Sequence, residues 1–155
     1  MYKPTIKFFN ELTTSELYQI LRLRSEVFVV EQDCVYQDVD DKDQLAIHLF
    51  ISDEKEVIAY TRLFAPGLYF DTASIGRVVV SLEYRKGGVG HQLIDASIKV
   101  VQQKFNTSKI TISAQTYLKK FYESHGFVKE GNEYLEDGIP HIKMIYSSVI
   151  TNGVK

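Results

Sequence analysis

The 155-residue chain contains one cysteine, three prolines and no tryptophan. The lone cysteine, Cys34, excludes an internal disulfide and a cysteine-rich zinc site. The longest apolar runs, 27–30 and 57–60, have four residues each, whereas a membrane-spanning helix needs about 20. The first residues also lack the uninterrupted apolar segment of a secretory signal. These absences predict a cytoplasmic protein.

The chain has little excess charge of either sign. Eighteen Lys and Arg residues against 20 Asp and Glu give a formal net charge of −2. A typical nucleic-acid-binding domain shows a basic face and a high pI, and a membrane-surface helix is basic and amphipathic. Neither pattern is present, so we expect no nucleic-acid or membrane partner. A small-molecule ligand is the better expectation.

The hydrophobic pattern alternates between short apolar runs and helical periodicity. It predicts strands at 5–9, 47–51, 57–64, 73–80, 110–114, 127–129 and 142–146, and helices at 15–30, 89–105 and 117–125. This order is neither strictly alternating nor segregated, which indicates a mixed α/β sheet covered by a few helices. Residues 1–150 are predicted to form a single domain, followed by a short tail at 151–155.

The most informative segment is a glycine-rich loop between a valine-rich strand and an amphipathic helix. Arg85 is followed by Gly88 and Gly90, and the helix begins at once. Glycines permit tight turns, and a helix N-terminus binds anions, so the loop suits a phosphate or pyrophosphate. A turn that needs glycine for its geometry alone is the alternative. The loop is not a nucleotide-triphosphatase loop, because Gly90 is followed by His-Gln rather than Lys-Ser/Thr.

Two segments carry a family resemblance. Residues 78–90 (VVVSLEYRKGGVG) resemble the acetyl-CoA-binding motif of the GCN5-related N-acetyltransferase (GNAT) superfamily, and residues 121–127 (FYESHGF) resemble its second segment. Further stretches, 27–32, 75–78, 114–117 and 134–141, are similar to the ElaA-like branch. Lys86 departs from the family, which often has glycine there. The resemblance implies the acyl-CoA N-acyltransferase (GNAT) fold: an α/β (α+β), mostly antiparallel twisted sheet with helices on both faces.

The resemblance implies an acetyl-CoA-dependent N-acetyltransferase, in which a primary amine attacks the thioester directly in a ternary complex, with no metal. Backbone groups of the valine strand would pair with pantetheine, and the loop N–H groups would hold the pyrophosphate. The cofactor-binding residues implied are Val78, Val79, Val80, Arg85, Lys86, Gly87, Gly88, Val89, Gly90, His91 and Tyr122. The alternatives are a non-catalytic CoA- or acyl-CoA-binding regulatory module and a nucleotide-phosphate enzyme.

Proton transfer needs an acid for the thiolate and a base for the amine. Tyr122 matches the family position of the acid, although a packed core aromatic is the alternative interpretation. The base candidates are Glu31, His48, Glu136 and His141, of which His141 and Glu31 are preferred. A water chain with no single base also remains open. Cys34 is interpreted as a packing residue rather than an acyl-carrying nucleophile.

Five aspartates fall between residues 33 and 43. Their combined negative potential predicts a cationic acceptor amine, whereas a solvated loop of turn-forming aspartates is the alternative. The expected partners are therefore acetyl-CoA and an amine-bearing acceptor, with a homodimer left open.

Overall fold

The computed structural model describes residues 1–148, so the tail predicted at 151–155 lies outside the described residues. Seven strands and three α-helices form this part of the chain. They are β1 (Thr5–Phe8), α1 (Thr14–Arg24), β2 (Ile47–Ser52), β3 (Val57–Phe64), β4 (Ala73–Val80), α2 (Val89–Phe105), β5 (Lys109–Gln115), α3 (Lys119–Glu123), β6 (Phe127–Glu136) and β7 (Ile139–Ser147).

The strands form one sheet in the order β1-β2-β3-β4-β5-β7-β6. Within residues 1–148, five of the six pairings are antiparallel and only β4–β5 is parallel. The predicted mixed, mostly antiparallel sheet is therefore confirmed. The parallel pair lies in the middle of the sheet, which is where the chain crosses over through α2.

Each face of the sheet buries a separate apolar cluster. On one face, Ile20 and Leu23 of α1 pack against Phe50 and Tyr60 of the sheet. On the opposite face, the α2 residues pack with strand residues and with the residues around α3, namely Val89, Leu93, Ile94, Ile98, Val101, Leu49, Ile75, Ile112, Tyr122 and Phe127. Helices thus cover both faces, as predicted.

A β-bulge in β4 changes which side chains face each helix. Tyr60 and Arg62 of β3 pair with Val79 and Gly76, so β4 has one extra residue. The extra residue is accommodated around Arg77, which has a φ of 48°. Because side chains alternate along a strand, the bulge exchanges the two faces. Val79 therefore packs on the α1 side and its two neighbouring valines on the α2 side.

Two elements differ from the sequence prediction. The first helix, predicted over 15–30, is α-helical only to Arg24 and continues as a π-helix over Ser25–Glu31. Strand β6, predicted over 127–129, extends to Glu136, because it is an exposed edge strand without apolar alternation. Asp137 and Gly138, both with positive φ, then form the tight turn to β7. No helix of residues 1–148 is long and apolar enough to cross a membrane.

Candidate active site

The site is a gap between the two parallel strands. β4 and β5 pair only at Ala73–Ile110 and Ser74–Thr111, and beyond these positions they diverge. A cavity of about 380 Å³ occupies the gap. Its walls are 75–80 of β4, 112–115 of β5, the π-helix and the β6–β7 turn. An opening inside a sheet leaves backbone groups of both strands available to an extended ligand.

The glycine loop lies at one end of this cavity and begins α2. Gly88 precedes the helix with a φ of 80°, a conformation that disfavours a side chain. A Cβ on Gly90 would lie 3.6 Å from Phe121 and 3.8 Å from Val80. The helix has no side-chain cap and no acidic residue in its first turn. Its first N–H groups are therefore suited to an anion.

The predicted site residues fall into two groups. Those that line the cavity are Glu31, Val78, Val79, Val80, Arg85, Gly90, Tyr122 and His141. Those that form the loop and helix start beside it are Lys86, Gly87, Gly88, Val89 and His91. Val89 is 4% exposed and its side chain packs in the core, which leaves only its backbone available to a ligand. The structure thus brings eight of the predicted site residues to one cavity and places the other five beside it.

Glu31 and Arg85 form a bidentate ion pair. The two Arg85 terminal nitrogens donate to the two Glu31 oxygens at 2.8 Å each. The Arg85 Nε–H also donates to the Val80 carbonyl at 3.0 Å. Because both its oxygens accept from Arg85, Glu31 acts here as a link from the π-helix to the glycine loop.

Tyr122 is a packed core aromatic that also reaches the cavity. It is packed edge-on between Phe121 and Phe127, yet it lines the cavity. Burial raises the pKa of the Tyr122 phenol well above its ordinary value. The hydroxyl therefore stays protonated near neutral pH and can act as a hydrogen-bond donor.

Two of the base candidates meet at the opposite end of the cavity. His141 Nδ1 donates to the Ile139 carbonyl at 2.7 Å. His141 Nε2 lies 3.3 Å from a Glu136 carboxylate oxygen. Tyr134 stacks on the His141 ring, with centroids 6.2 Å apart. The imidazole is therefore held in one orientation, with Nε2 next to the carboxylate.

His48 as a base candidate is wrong. Its ring is fully buried outside the cavity lining, with Nδ1 bonded to the Tyr60 hydroxyl and Nε2 to the Asp43 carbonyl. Burial lowers the pKa of His48, so the ring is a neutral core group.

Three of the five aspartates in the aspartate-rich loop are neutralised by arginines. Asp38, Asp40 and Asp43 form ion pairs, at 2.6–3.4 Å, with three arginines from α1, β3 and β4, namely Arg24, Arg62 and Arg77. Arg24 and Arg62 are 0% and 1% exposed, and a buried cation requires such partners. Sequence reasoning missed this network because the arginines are far from the loop in the chain.

Residues just after the π-helix make further contacts across the cavity that the sequence did not indicate. The side-chain amides of Gln32 and Gln115 form two reciprocal hydrogen bonds of 3.3 and 3.1 Å. The Cys34 thiol donates to the Asp137 carbonyl at 3.3 Å. Cys34 is buried and its sulfur is engaged, in agreement with a packing role.

The mixed sheet, with its parallel strands parted above a glycine loop, defines an acyl-CoA N-acyltransferase fold. Residues 12–148 match the family described as Acetyltransferase (GNAT) domain, so the chain belongs to the GNAT family. More narrowly, the chain is 39% identical to Escherichia coli ElaA over 137 residues, which are 87% of this chain and 90% of that protein.

Two other relatives agree with this placement. A UPF0039 protein of Schizosaccharomyces pombe is 43% identical over 140 residues, covering 89% of this chain and 92% of the relative. The crystal structure of an acyl-CoA N-acyltransferase from Pseudomonas aeruginosa superposes with a TM-score of 0.88 at 40% identity, covering 94% and 99% of the two chains. The predicted GNAT, ElaA-like resemblance is confirmed, and acyl-CoA-dependent acyltransferase activity is supported.

Proposed function

We propose that this protein is an N-acetyltransferase that moves the acetyl group of acetyl-CoA to a primary amine in a ternary complex. The observation that carries the proposal is the gap between β4 and β5, which runs from the glycine loop to the pair formed by His141 and Glu136. One cavity would therefore bind the anionic part of the cofactor at one end and accept the proton of the amine at the other.

The residues present fit the CoA portion of the cofactor. Backbone groups of Val78 and Val80 would bind the pantetheine amides, and the N–H groups at the start of α2 would bind the pyrophosphate. The thioester supplies an activated acyl carbon and a thiol leaving group. Tyr122, protonated and lining the same cavity, would donate a hydrogen bond to the departing sulfur.

Direct transfer needs no covalent acyl-enzyme, because placing both reactants together supplies much of the acceleration. Cys34 lines the cavity, but its thiol is buried and donates to a backbone carbonyl. The His141 ring, held by the Ile139 carbonyl, would accept the amine proton through Nε2. Glu136 beside it would stabilise the resulting imidazolium.

The half of the cavity proposed to bind the acceptor favours a cationic amine. The reason is the acidic residues that line it, not the five aspartates between residues 33 and 43. Arg77 lines it, but this cation is neutralised by Asp38 and Asp40. Glu136 and Asp137 also line it, and the Glu136 side chain is 42% exposed. The accessible charge facing an acceptor is therefore negative, which attracts ammonium groups and repels carboxylates.

The first test is calorimetric titration with acetyl-CoA, followed by an amine screen that measures release of free thiol. Gly88→Glu places an anion and a strained φ in the loop, and it should abolish binding. Gly131→Glu is the matched control, because Gly131 has a φ of 78° and equally open surroundings on the distant strand β6. Loss of binding in the Gly88 variant alone would support the pyrophosphate site.

The acceptor class is tested with a pair of equal length, 1,5-diaminopentane and 5-aminopentanoate. We expect the diamine to have the higher kcat/KM, and Glu136→Gln to raise its KM about tenfold, the loss of one charge-assisted interaction. Tight acetyl-CoA binding without thiol release for any amine would favour the non-catalytic module instead. No binding by the wild-type protein would refute the proposal.

A further inference from the structure

Two histidines and an aspartate form a hydrogen-bonded chain at the start of α2, beside the cavity. His91 Nδ1 lies 2.8 Å from His125 Nε2, and His125 Nδ1 lies 2.9 Å from an Asp95 oxygen. Phe121 packs on both rings, with centroid distances of 4.8 and 5.2 Å. Because Phe121 also lines the cavity and adjoins Gly90, the chain lies at the cavity's glycine-loop end.

The direction of these hydrogen bonds fixes the protons while both rings are neutral. An ionised carboxylate only accepts, so His125 Nδ1–H donates to Asp95. His125 Nε2 then carries a lone pair and accepts the Nδ1–H of His91. His91 Nε2, the outer end of the chain, is left with a lone pair. In this state it repels a phosphate oxygen.

One proton added to the chain converts His91 Nε2 from a hydrogen-bond acceptor to a hydrogen-bond donor. Whether the proton resides on His91 or on His125, both ring-to-ring and ring-to-carboxylate bonds are kept, and His91 Nε2 becomes an N–H donor. Asp95 stabilises the positive charge from the other end. The exposed His91 ring then presents a charge-assisted donor one residue beyond the glycine loop.

We propose that the Asp95–His125–His91 chain is a proton-linked phosphate site, in which His91 Nε2–H binds a phosphate oxygen of the CoA moiety and the chain takes up one proton from solvent. The inference rests on the proposed use of acyl-CoA. It adds a side-chain contact to the backbone contacts of the loop, and it makes cofactor affinity depend on pH.

The other charged groups on the neighbouring elements do not replace the hydrogen bonds between Asp95, His125 and His91. Within residues 1–148, Asp95 is the carboxylate paired with His125, and neither ring has another ion pair. The charged side chains on the adjoining loop (81–88) and on α3 are Glu83, Arg85, Lys86, Lys119, Lys120 and Glu123, and Arg85 is paired with Glu31. The three lysines outnumber the two remaining carboxylates, so the local field favours a bound phosphate.

The test measures proton uptake during calorimetric titration with CoA at pH 7.5, in buffers of different ionisation enthalpy. We expect the wild-type protein to take up a fraction of one proton per CoA bound. His91→Gln keeps an N–H donor that does not titrate, so uptake should vanish. His91→Ala should in addition weaken CoA binding about tenfold, the loss of one charge-assisted hydrogen bond.

3′-Dephospho-CoA distinguishes the two sources of phosphate. Uptake that persists with this analogue assigns His91 to the pyrophosphate, whereas uptake seen only with CoA assigns it to the 3′-phosphate; either result supports the site. Asp95→Asn, which removes the carboxylate without changing the side chain's shape, should reduce uptake independently. His48→Gln, at a ring buried outside the cavity lining, is the matched control and should leave uptake unchanged.

The outcomes separate this inference from the proposed function. CoA binding by the wild-type protein without proton uptake, or uptake that persists in His91→Gln, would overturn the phosphate site and leave the acetyltransferase proposal intact. Absence of CoA binding by the wild-type protein would overturn both.

Discussion

Arg77 offers a direct test of how the β4 bulge is maintained. Its φ of 48° lies in the left-handed region, where a residue other than glycine, asparagine or aspartate costs about 1 kcal/mol. Its side chain compensates: Nε lies 2.8 Å from Asp38, Nη2 lies 3.4 Å from Asp40, and the guanidinium stacks 5.5 Å from the Tyr36 ring. Breaking such a largely buried ion pair costs about 3 kcal/mol.

Two substitutions separate these contributions. Arg77→Ala loses the ion pairs and keeps the strained φ, so the free energy of unfolding should fall by about 3 kcal/mol. Arg77→Gly loses the same ion pairs but relieves the strain, so it should lose about 2 kcal/mol. For a chain of this length the difference corresponds to about 3 °C in Tm. Urea and thermal unfolding measure both; equal stabilities, or a less stable glycine variant, would refute the strain argument.

Three further predictions follow from the site and the core. Tyr122→Phe preserves the packing but removes the hydroxyl, so kcat should fall about 10²-fold with little change in the acetyl-CoA KM; an unchanged kcat would exclude an acid role. Burial raises the pKa of Asp40, but hydrogen bonds and charge from Arg62 outweigh it and hold the pKa far below 3.8. The stabilisation from ionised Asp40 is complete above pH 3.8 and is lost as the pH falls through the pKa of Asp40 in the folded state. In Asp40→Asn, the free energy of unfolding should therefore decrease less as the pH becomes acidic. Burial lowers the pKa of His48 from 6.5. The contribution of neutral His48 to the free energy of unfolding is therefore complete above about pH 6.5 and declines below it. In His48→Gln, this part of the loss of stability at lower pH should be absent.

The element order and the position of the glycine loop could be predicted from the sequence because both rest on local patterns. The glycines at 88 and 90 occur where the backbone must turn into α2, and the apolar stripe of that helix is regular. Strand β6 was underestimated because its exposed residues carry no alternation. The π-helix was missed because the apolar spacing of α1 continues through it.

The part of the cavity near Gln32, Gln115 and the β6–β7 turn was harder to predict because it is assembled by contacts distant in sequence. Asp40 meets an arginine 22 positions away, and Gln32 meets a glutamine 83 positions away. A cluster of aspartates has the same local pattern whether it faces a substrate or buried cations. His91 and His125, 34 positions apart, likewise give no sign of their bond until α2 and α3 are packed. Only the tertiary fold distinguishes such cases.

The parting of β4 and β5 gives the sheet two additional edges in its interior. After Ser74 and Thr111 the strands no longer satisfy each other's backbone groups, and unpaired strand edges readily pair with another extended chain. A ligand that presents amide groups along this slot would complete the sheet as an added strand does. Occupancy of the slot by such a ligand should therefore lower the tendency of the protein to aggregate through these edges.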